Sequence, residues 1–171
     1  GSAYNVHFGY TCYHPLFVFN QFGDMERALL RNGNVYSSDD WKSVLEPIIE
    51  RYRDKDITRY FRGDAAFANP DIYRLLEKED YFYAIRLKGN NILQGHIRHL
   101  LTRPVGRAPK KPIVQYHSFQ YQAASWKKSR RVVAKVEWHC GELFPRVGFI
   151  VPNLRWKYSN VVKFYNKRGT A

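Results

Sequence analysis

Residues 58–71 constrain the fold of this chain most, because a strand, a tight turn and a helix start follow one another there. The apolar and aromatic run at 58–62 predicts a short strand, which ends at Gly63-Asp64. An N-cap, a proline and an acidic residue at 69–71 then predict the start of a helix. Asp64 is therefore expected at the carboxyl end of a strand, where open α/β sheets bind ligands and a carboxylate can hold a divalent metal. A Gly-Asp pair after a strand is also compatible with an ordinary turn.

Hydrophobic periodicity predicts a fold that mixes strands and helices. Strands are expected at 16–19, 25–30, 81–88, 113–122, 132–138 and 147–151, and helices at 37–52, 70–78 and 159–167, with a short helix within 90–101. A capping-box pattern at 37–40 predicts the start of the first helix. Pro47 predicts a kink in that helix, because proline removes a backbone donor and clashes with the preceding turn.

Charge is distributed unevenly along the 171 residues, whose net charge is +13. Of the 28 Lys and Arg residues, 13 follow residue 107, whereas only Glu137 and Glu142 of the 15 acidic residues do. No acidic residue lies between Asp80 and Glu137. One-signed charge repels itself unless a polyanion compensates it, so the composition favours a nucleic-acid partner. A membrane partner fits less well, since the basic residues do not lie on one amphipathic helix and no apolar run reaches membrane-spanning length.

Two basic segments are candidates for contact with nucleic acid. The first combines cations with an aromatic ring, and its members are Trp126, Lys127, Lys128, Arg130 and Arg131. Rings at 116–121 lie just upstream, and such rings can stack on unpaired bases. The alternative is a solvated hairpin loop whose rings belong to the core. The second and weaker candidate is the set Arg103, Arg107, Lys110 and Lys111.

Four stretches of the chain resemble the catalytic domain of bacterial insertion-sequence DDE transposases. They are 1–5 (GSAYN), 8–16 (FGYTCYHPL), 62–67 (RGDAAF) and 164–171 (FYNKRGTA). The likeness covers essentially the whole chain, and the combination is specific although no single stretch is. It matches Asp64 to the second aspartate of the family's catalytic triad.

The resemblance implies an α+β fold, namely part of a ribonuclease H-like mixed sheet with flanking helices and a β-rich insertion. It divides the chain into a partial core at 1–89, the insertion at 90–151, and a return to the core with the C-terminal helix at 152–171. In the family, a further strand lies between those at 16–19 and 58–63. Its loss would expose two strand edges, which predicts a strand-exchanged or edge-paired homo-oligomer, or a slot filled by another segment.

The resemblance also implies a chemistry. DDE enzymes use three carboxylates to hold two Mg²⁺ or Mn²⁺ ions, which activate a nucleophile and stabilise the leaving oxygen at phosphorus. The family's first aspartate lies upstream of Gly1 and its glutamate lies after Ala171, so only Asp64 is matched. The chain is therefore expected to be a fragment that is inactive alone and holds no metal stably. Glu137 is better explained as a partner for a nearby cation, and Glu142 as a turn residue.

Three functions stay open at this point. The first is a fragment of a transposase catalytic domain, from a family that cuts and joins DNA at transposon ends. The second is a non-catalytic basic module that binds nucleic acid, and the third is a remnant without function. Two cysteines, Cys12 and Cys140, make no disulfide framework, and no signal peptide opens the chain. The expected location is therefore the bacterial cytoplasm, at the nucleoid.

Overall fold

The structure is a computed structural model that describes residues 2–7, 9–106 and 110–170. The described residues form two compact units, one reaching to Thr58 and the other comprising Arg59–Arg168. No helix in these ranges is long and apolar enough to cross a membrane.

The first unit consists of two antiparallel strand pairs and one helix. β1 (Ala3–Asn5) pairs with β2 (Tyr10–Cys12), and β3 (Leu16–Phe19) pairs with β4 (Met25–Leu29). α1 (Trp41–Tyr52) follows. Its buried residues recur at helical spacing along one face and are Trp41, Val44, Leu45, Ile48 and Ile49. α1 continues through Pro47.

The start of α1 differs from the predicted capping box. Asp40 occupies the N-cap position with φ 57°, and its side chain makes no capping hydrogen bond. Instead, Ser43 Oγ donates to the Asp40 carbonyl at 2.7 Å, and the Asp39 carboxylate accepts the Tyr36 backbone N–H at 2.9 Å. The predicted capping box was wrong, since the N-cap residue Asp40 has a left-handed backbone and its side chain does not cap the helix.

The second unit is built on a five-stranded sheet in the order β5-β6-β9-β8-β7. The strands are β5 (Tyr60–Gly63), β6 (Phe82–Leu87), β7 (Ile113–Tyr121), β8 (Arg130–Trp138) and β9 (Arg146–Pro152). β5 and β6 are parallel and the other neighbours are antiparallel. The helices are α2 (Pro70–Lys78), α3 (Asn91–His96) and α4 (Tyr158–Asn166).

Local chemistry explains the β5–α2 crossover. The Asn69 side chain accepts the Asp71 backbone N–H at 2.8 Å, and Pro70 opens the helix. Ile72, Tyr73 and Leu76 then turn inward. This is the helix start that the sequence predicted, since Asn69 satisfies one of the first backbone donors and Pro70 has no N–H to satisfy.

The core of the sheet lies under α4. Val161, Val162 and Tyr165 pack against Ala84, Val133 and Ile150 of β6, β8 and β9. The fold class is confirmed as α+β, with a mixed sheet and flanking helices that are consistent with a ribonuclease H-like arrangement. The strands at 113–152 are hydrogen-bonded into the same sheet as β5 and β6. The division at 89 and 151 stays a prediction.

Candidate functional site

Asp64 lies directly after β5, at the turn that leads to α2. Its carboxylate accepts the Ala66 backbone N–H at 3.0 Å and caps a short 3-10 helix, Ala65–Phe67. The carboxylate lies 3.8 Å from Arg168 Nη1, and both side chains are 45% exposed. Asp64 is therefore an accessible carboxylate at the carboxyl end of a strand, which is where the sequence placed it. Its role as a metal ligand stays a prediction.

Neighbouring side chains occupy the space beside the Cα atom of Gly63. A Cβ there would lie 3.0 Å from Phe61 Cε1 and 3.2 Å from Phe67 Cβ. A side chain at position 63 would therefore have to displace the Phe61 ring or the Phe67 side chain.

The Arg62 guanidinium, two residues before Asp64, packs against α4. Arg62 Nη1 donates to the Phe164 carbonyl at 3.1 Å, and its guanidinium lies 5.1 Å from the centre of the Phe164 ring. Burial, and then the nearby charge of Arg168, lower the pKa of Arg62. These contacts hold α4 against β5, and the cation recorded beside the Asp64 carboxylate is Arg168.

A second charged cluster is centred on Glu77 of α2. Its carboxylate accepts hydrogen bonds from Tyr83 Oη at 2.9 Å and Arg130 Nε at 3.1 Å, and it lies 2.8 Å from Lys128 Nζ. Burial raises the pKa of Glu77, but the hydrogen bonds from Lys128, Arg130 and Tyr83 outweigh it and hold that pKa below its ordinary value. Glu77 is thus a charged anchor at neutral pH.

Arg130 and Trp126 are packed into this cluster. The Arg130 guanidinium lies 4.8 Å from the centre of the Tyr73 ring and 5.4 Å from that of Trp126. The two residues are only 7% and 4% exposed. Because both side chains are buried, they have a packing role. Their predicted contact with nucleic acid stays untested.

Arg131 points to the other face of β8. Its Nε donates to Ser118 Oγ at 2.8 Å, and its Nη1 donates to the carbonyls of Leu154 at 3.0 Å and Trp156 at 2.8 Å. Burial lowers the pKa of Arg131. This arginine therefore ties β8 to the segment that leads into α4.

The exposed lysines of the predicted segment line a cleft. Its volume is about 240 Å³, and its walls are Pro70, Arg74, Glu77, Lys127, Lys128 and Arg130. Four cations and one carboxylate therefore face one small space. Sequence reasoning missed Arg74 and Glu77. Their i,i+3 spacing placed both on one helix face, but nothing local indicated that this face meets residues 127–130.

The remaining candidates lie apart from these contacts. Lys110 and Lys111 are exposed just before β7, and Arg107 lies outside the described residues. Glu137 pairs with Lys135 at 2.7 Å, as the cation-partner interpretation predicted. Glu142 pairs with Arg146.

A comparison with protein families decides what kind of chain carries these features. The family model described as transposase DDE domain group 1 matches residues 1–171. The chain belongs to this family. Membership implies a role in transposition with DNA as the partner, and DDE transposases generally use divalent metal ions. No curated protein matches the chain.

The metal chemistry of a DDE transposase does not fit the described residues by themselves. Across 2–7, 9–106 and 110–170, no group of three His, Cys, Asp or Glu side chains could hold a metal ion. Asp64 offers one carboxylate, and its nearest charged partner is a guanidinium. Two ions need several shared oxygen ligands. We therefore derive no catalytic step through a metal on this chain.

Proposed function

We propose that this transposase chain binds the DNA backbone through the cleft between α2 and the start of β8, and that it does not cut DNA by itself. The cleft carries the proposal, because Arg74, Lys127 and Lys128 converge there around a single carboxylate. A DNA phosphate that enters the cleft can replace the Glu77 carboxylate as the partner of Lys128, whose side chain is 62% exposed. Arg130 stays with Glu77 and keeps the wall in place.

The test is the salt dependence of duplex binding, followed by fluorescence anisotropy. Each phosphate contact contributes about 0.9 to the slope of log K against log salt, so Lys127→Ala with Lys128→Ala should lower the slope by about 1.8. The matched control is Lys42→Ala with Lys55→Ala, which removes the same charge from exposed positions of the first unit. Equal slopes for both double variants would contradict the proposal.

Asp64 is the proposed metal ligand of a catalytic centre whose other carboxylates come from outside this chain. Its half-exposed carboxylate at a strand end supports that role, and the lack of a three-ligand group among the described residues supports inactivity of the chain alone. A cleavage assay with Mg²⁺ or Mn²⁺ tests the proposed inactivity of the chain alone. Cutting of transposon-end DNA that Asp64→Asn abolishes would show that the chain is active, and would overturn this part of the proposal.

A non-catalytic module that binds DNA is the second candidate function. The same cleft supports it, since phosphate binding there needs no carboxylate triad. Duplex binding that is unchanged by EDTA and by Asp64→Asn favours this reading. In either case we place the chain in the bacterial cytoplasm, where transposon DNA is.

We also propose that copies of the chain associate through strand edges. Among the described residues, β3 and β4 pair only with each other and β5 pairs only with β6. Phe17 and Phe19 of β3 are about half exposed. Unpaired edges with apolar side chains are ready partners for a further strand.

A further inference from the structure

Four aromatic rings form a connected cluster where β5 and β6 begin. Tyr60 and Phe82 are register partners on the two parallel strands, and their ring centres are 5.6 Å apart. The Tyr60 ring also lies 6.0 Å from Trp156 and 5.5 Å from Phe164. Trp156 and Phe164 meet edge to face at 5.6 Å. We call these four residues the aromatic platform.

The platform is unusually open for its ring content. Tyr60, Phe82 and Trp156 are 44%, 41% and 39% exposed, whereas the neighbouring core under α4 is buried. Folding normally hides several large rings that already touch one another. A contiguous exposed aromatic surface is a candidate interaction site.

Basic residues lie beside the platform. The Arg62 guanidinium lies over the Phe164 ring, and Arg131 donates to the Trp156 carbonyl. Both of these guanidinium groups donate to backbone carbonyls, whereas Arg155 and Lys157 flank Trp156 and are exposed, so these two cations are available to a ligand. β5, β6 and residues 143–170 contain no acidic residue, and the acid closest in sequence is Asp80, two positions before Phe82. The matching ligand therefore carries negative charge and offers flat apolar faces.

We infer that the aromatic platform binds unpaired bases of single-stranded DNA. Exposed rings that stack on bases, beside cations that follow the phosphates, are the recurrent means of holding a single strand, whereas the bases of a duplex are already stacked on each other. This inference rests on the proposed function, because it takes DNA to be the partner.

The platform lies at the opposite end of β5 from Asp64. Asp64 lies four positions after Tyr60, which corresponds to about 13 Å of extended strand. A strand stacked on the platform can therefore run along β5 toward the carboxylate. The site is distinct from the cleft at Lys127 and Lys128, whose walls share no residue with it.

The experiment compares a single-stranded oligothymidylate with a duplex of equal length, by anisotropy, for the full chain. Tyr60→Ala and Trp156→Ala should each weaken single-strand binding about tenfold, the range found when a stacking ring is removed. Duplex binding should change less than twofold, and Trp156→Phe should restore most of the loss. The control is Phe144→Ala, which removes a ring that is 75% exposed and lies outside the platform.

A second measurement needs no variant. Photocross-linking of the wild-type chain to an oligonucleotide that contains 5-bromodeoxyuridine should give adducts at Tyr60 or Trp156 by mass spectrometry. Adducts found only at residues outside the aromatic platform overturn the inference, even if the alanine variants unfold.

Each negative result shows whether the proposed function or only the single-strand inference fails. If the wild-type chain binds neither DNA, the proposed function fails and the inference fails with it. If it binds duplex while the platform variants bind single strands as the wild type does, only the inference fails. If the variants change the sedimentation of the chain and leave single-strand binding unchanged, the platform is an interface between copies, and the inference is likewise overturned.

Discussion

Arg130 Nε lies 3.1 Å from Glu77 Oε1, across 53 positions of the chain. This pair joins α2 to the first residue of β8, and the aromatic rings of Tyr73 and Trp126 cover the guanidinium. The pair holds one wall of the cleft in place, so Lys127 and Lys128 lie beside a fixed surface. Phosphate binding and folding stability therefore depend on the same carboxylate.

Replacing Glu77 should destabilise the second unit. Glu77→Gln leaves Arg130 buried without a negative partner, and breaking one side of a buried ion pair costs about 3 kcal/mol. We expect about 2 kcal/mol, because the Glu77 side chain is 23% exposed. Urea unfolding measures this loss. Glu142→Gln, which removes the exposed partner of Arg146, is the control and should leave the midpoint unchanged.

The stability of the chain should fall in mild acid through His117. Burial, and then the charges of His99 and His96, lower the pKa of His117 in the folded protein. The unfolded chain, with a histidine pKa of about 6.5, then binds more protons than the folded one, so stability decreases as pH falls from about 6.5 toward the folded pKa. His117→Gln should flatten this slope between pH 7.5 and 5.5. His7→Gln in the first unit should not, and if it does, the decrease has another origin.

Asp64 should contribute to stability as a cap, separately from any metal. Asp64→Ala removes the acceptor of the Ala66 N–H and should cost about 1 kcal/mol. Asp64→Asn keeps an acceptor at the same place and should unfold close to the wild-type midpoint. Calorimetry distinguishes the two variants, and equal losses would mean that the charge rather than the hydrogen bond matters.

Arg74 should contact phosphate although the sequence did not single it out. Arg74→Ala should lower the salt slope of duplex binding by about 0.9, the contribution of one contact. The matched control is Arg51→Ala, which also removes an ion-paired arginine, from α1. A normal slope for Arg74→Ala would restrict the proposed contact to the two lysines.

Association through strand edges should respond to charge on β3. Phe17 is 49% exposed, and a lysine on an edge strand opposes pairing with another chain. Sedimentation velocity over a range of concentrations should show oligomers for the wild type and a shift to monomer for Phe17→Lys. Ile92→Lys makes the same change at a position of α3 that is 66% exposed and should sediment as the wild type does. A monomeric wild type would rule out the proposed association.

The sequence by itself determined the position of Asp64 and the longer elements from residue 16 onward, whereas it did not indicate the short strands β1 and β2. The periodicity at 159–167, the Asn-Pro-Asp helix start and the turn after β5 depend on residues a few positions apart, whose hydrogen bonds and apolar spacing are local. The ion-pair interpretation of Glu137 held for the same reason, since its partner Lys135 is two residues away. The capping box at 37–40 failed because the left-handed backbone at Asp40 was not visible in residue types.

Only the tertiary structure decided which basic residues are available to DNA. From residue types alone, residues 126–131 form one basic segment. In the structure, Trp126 and Arg130 are buried and Arg131 donates to backbone carbonyls. Lys127 and Lys128 are exposed. The difference comes from Glu77, Tyr73 and Trp156, which reach the segment from distant parts of the chain. A charged side chain is buried only where folding supplies its partner, and that partner is set by long-range packing rather than by neighbours in sequence.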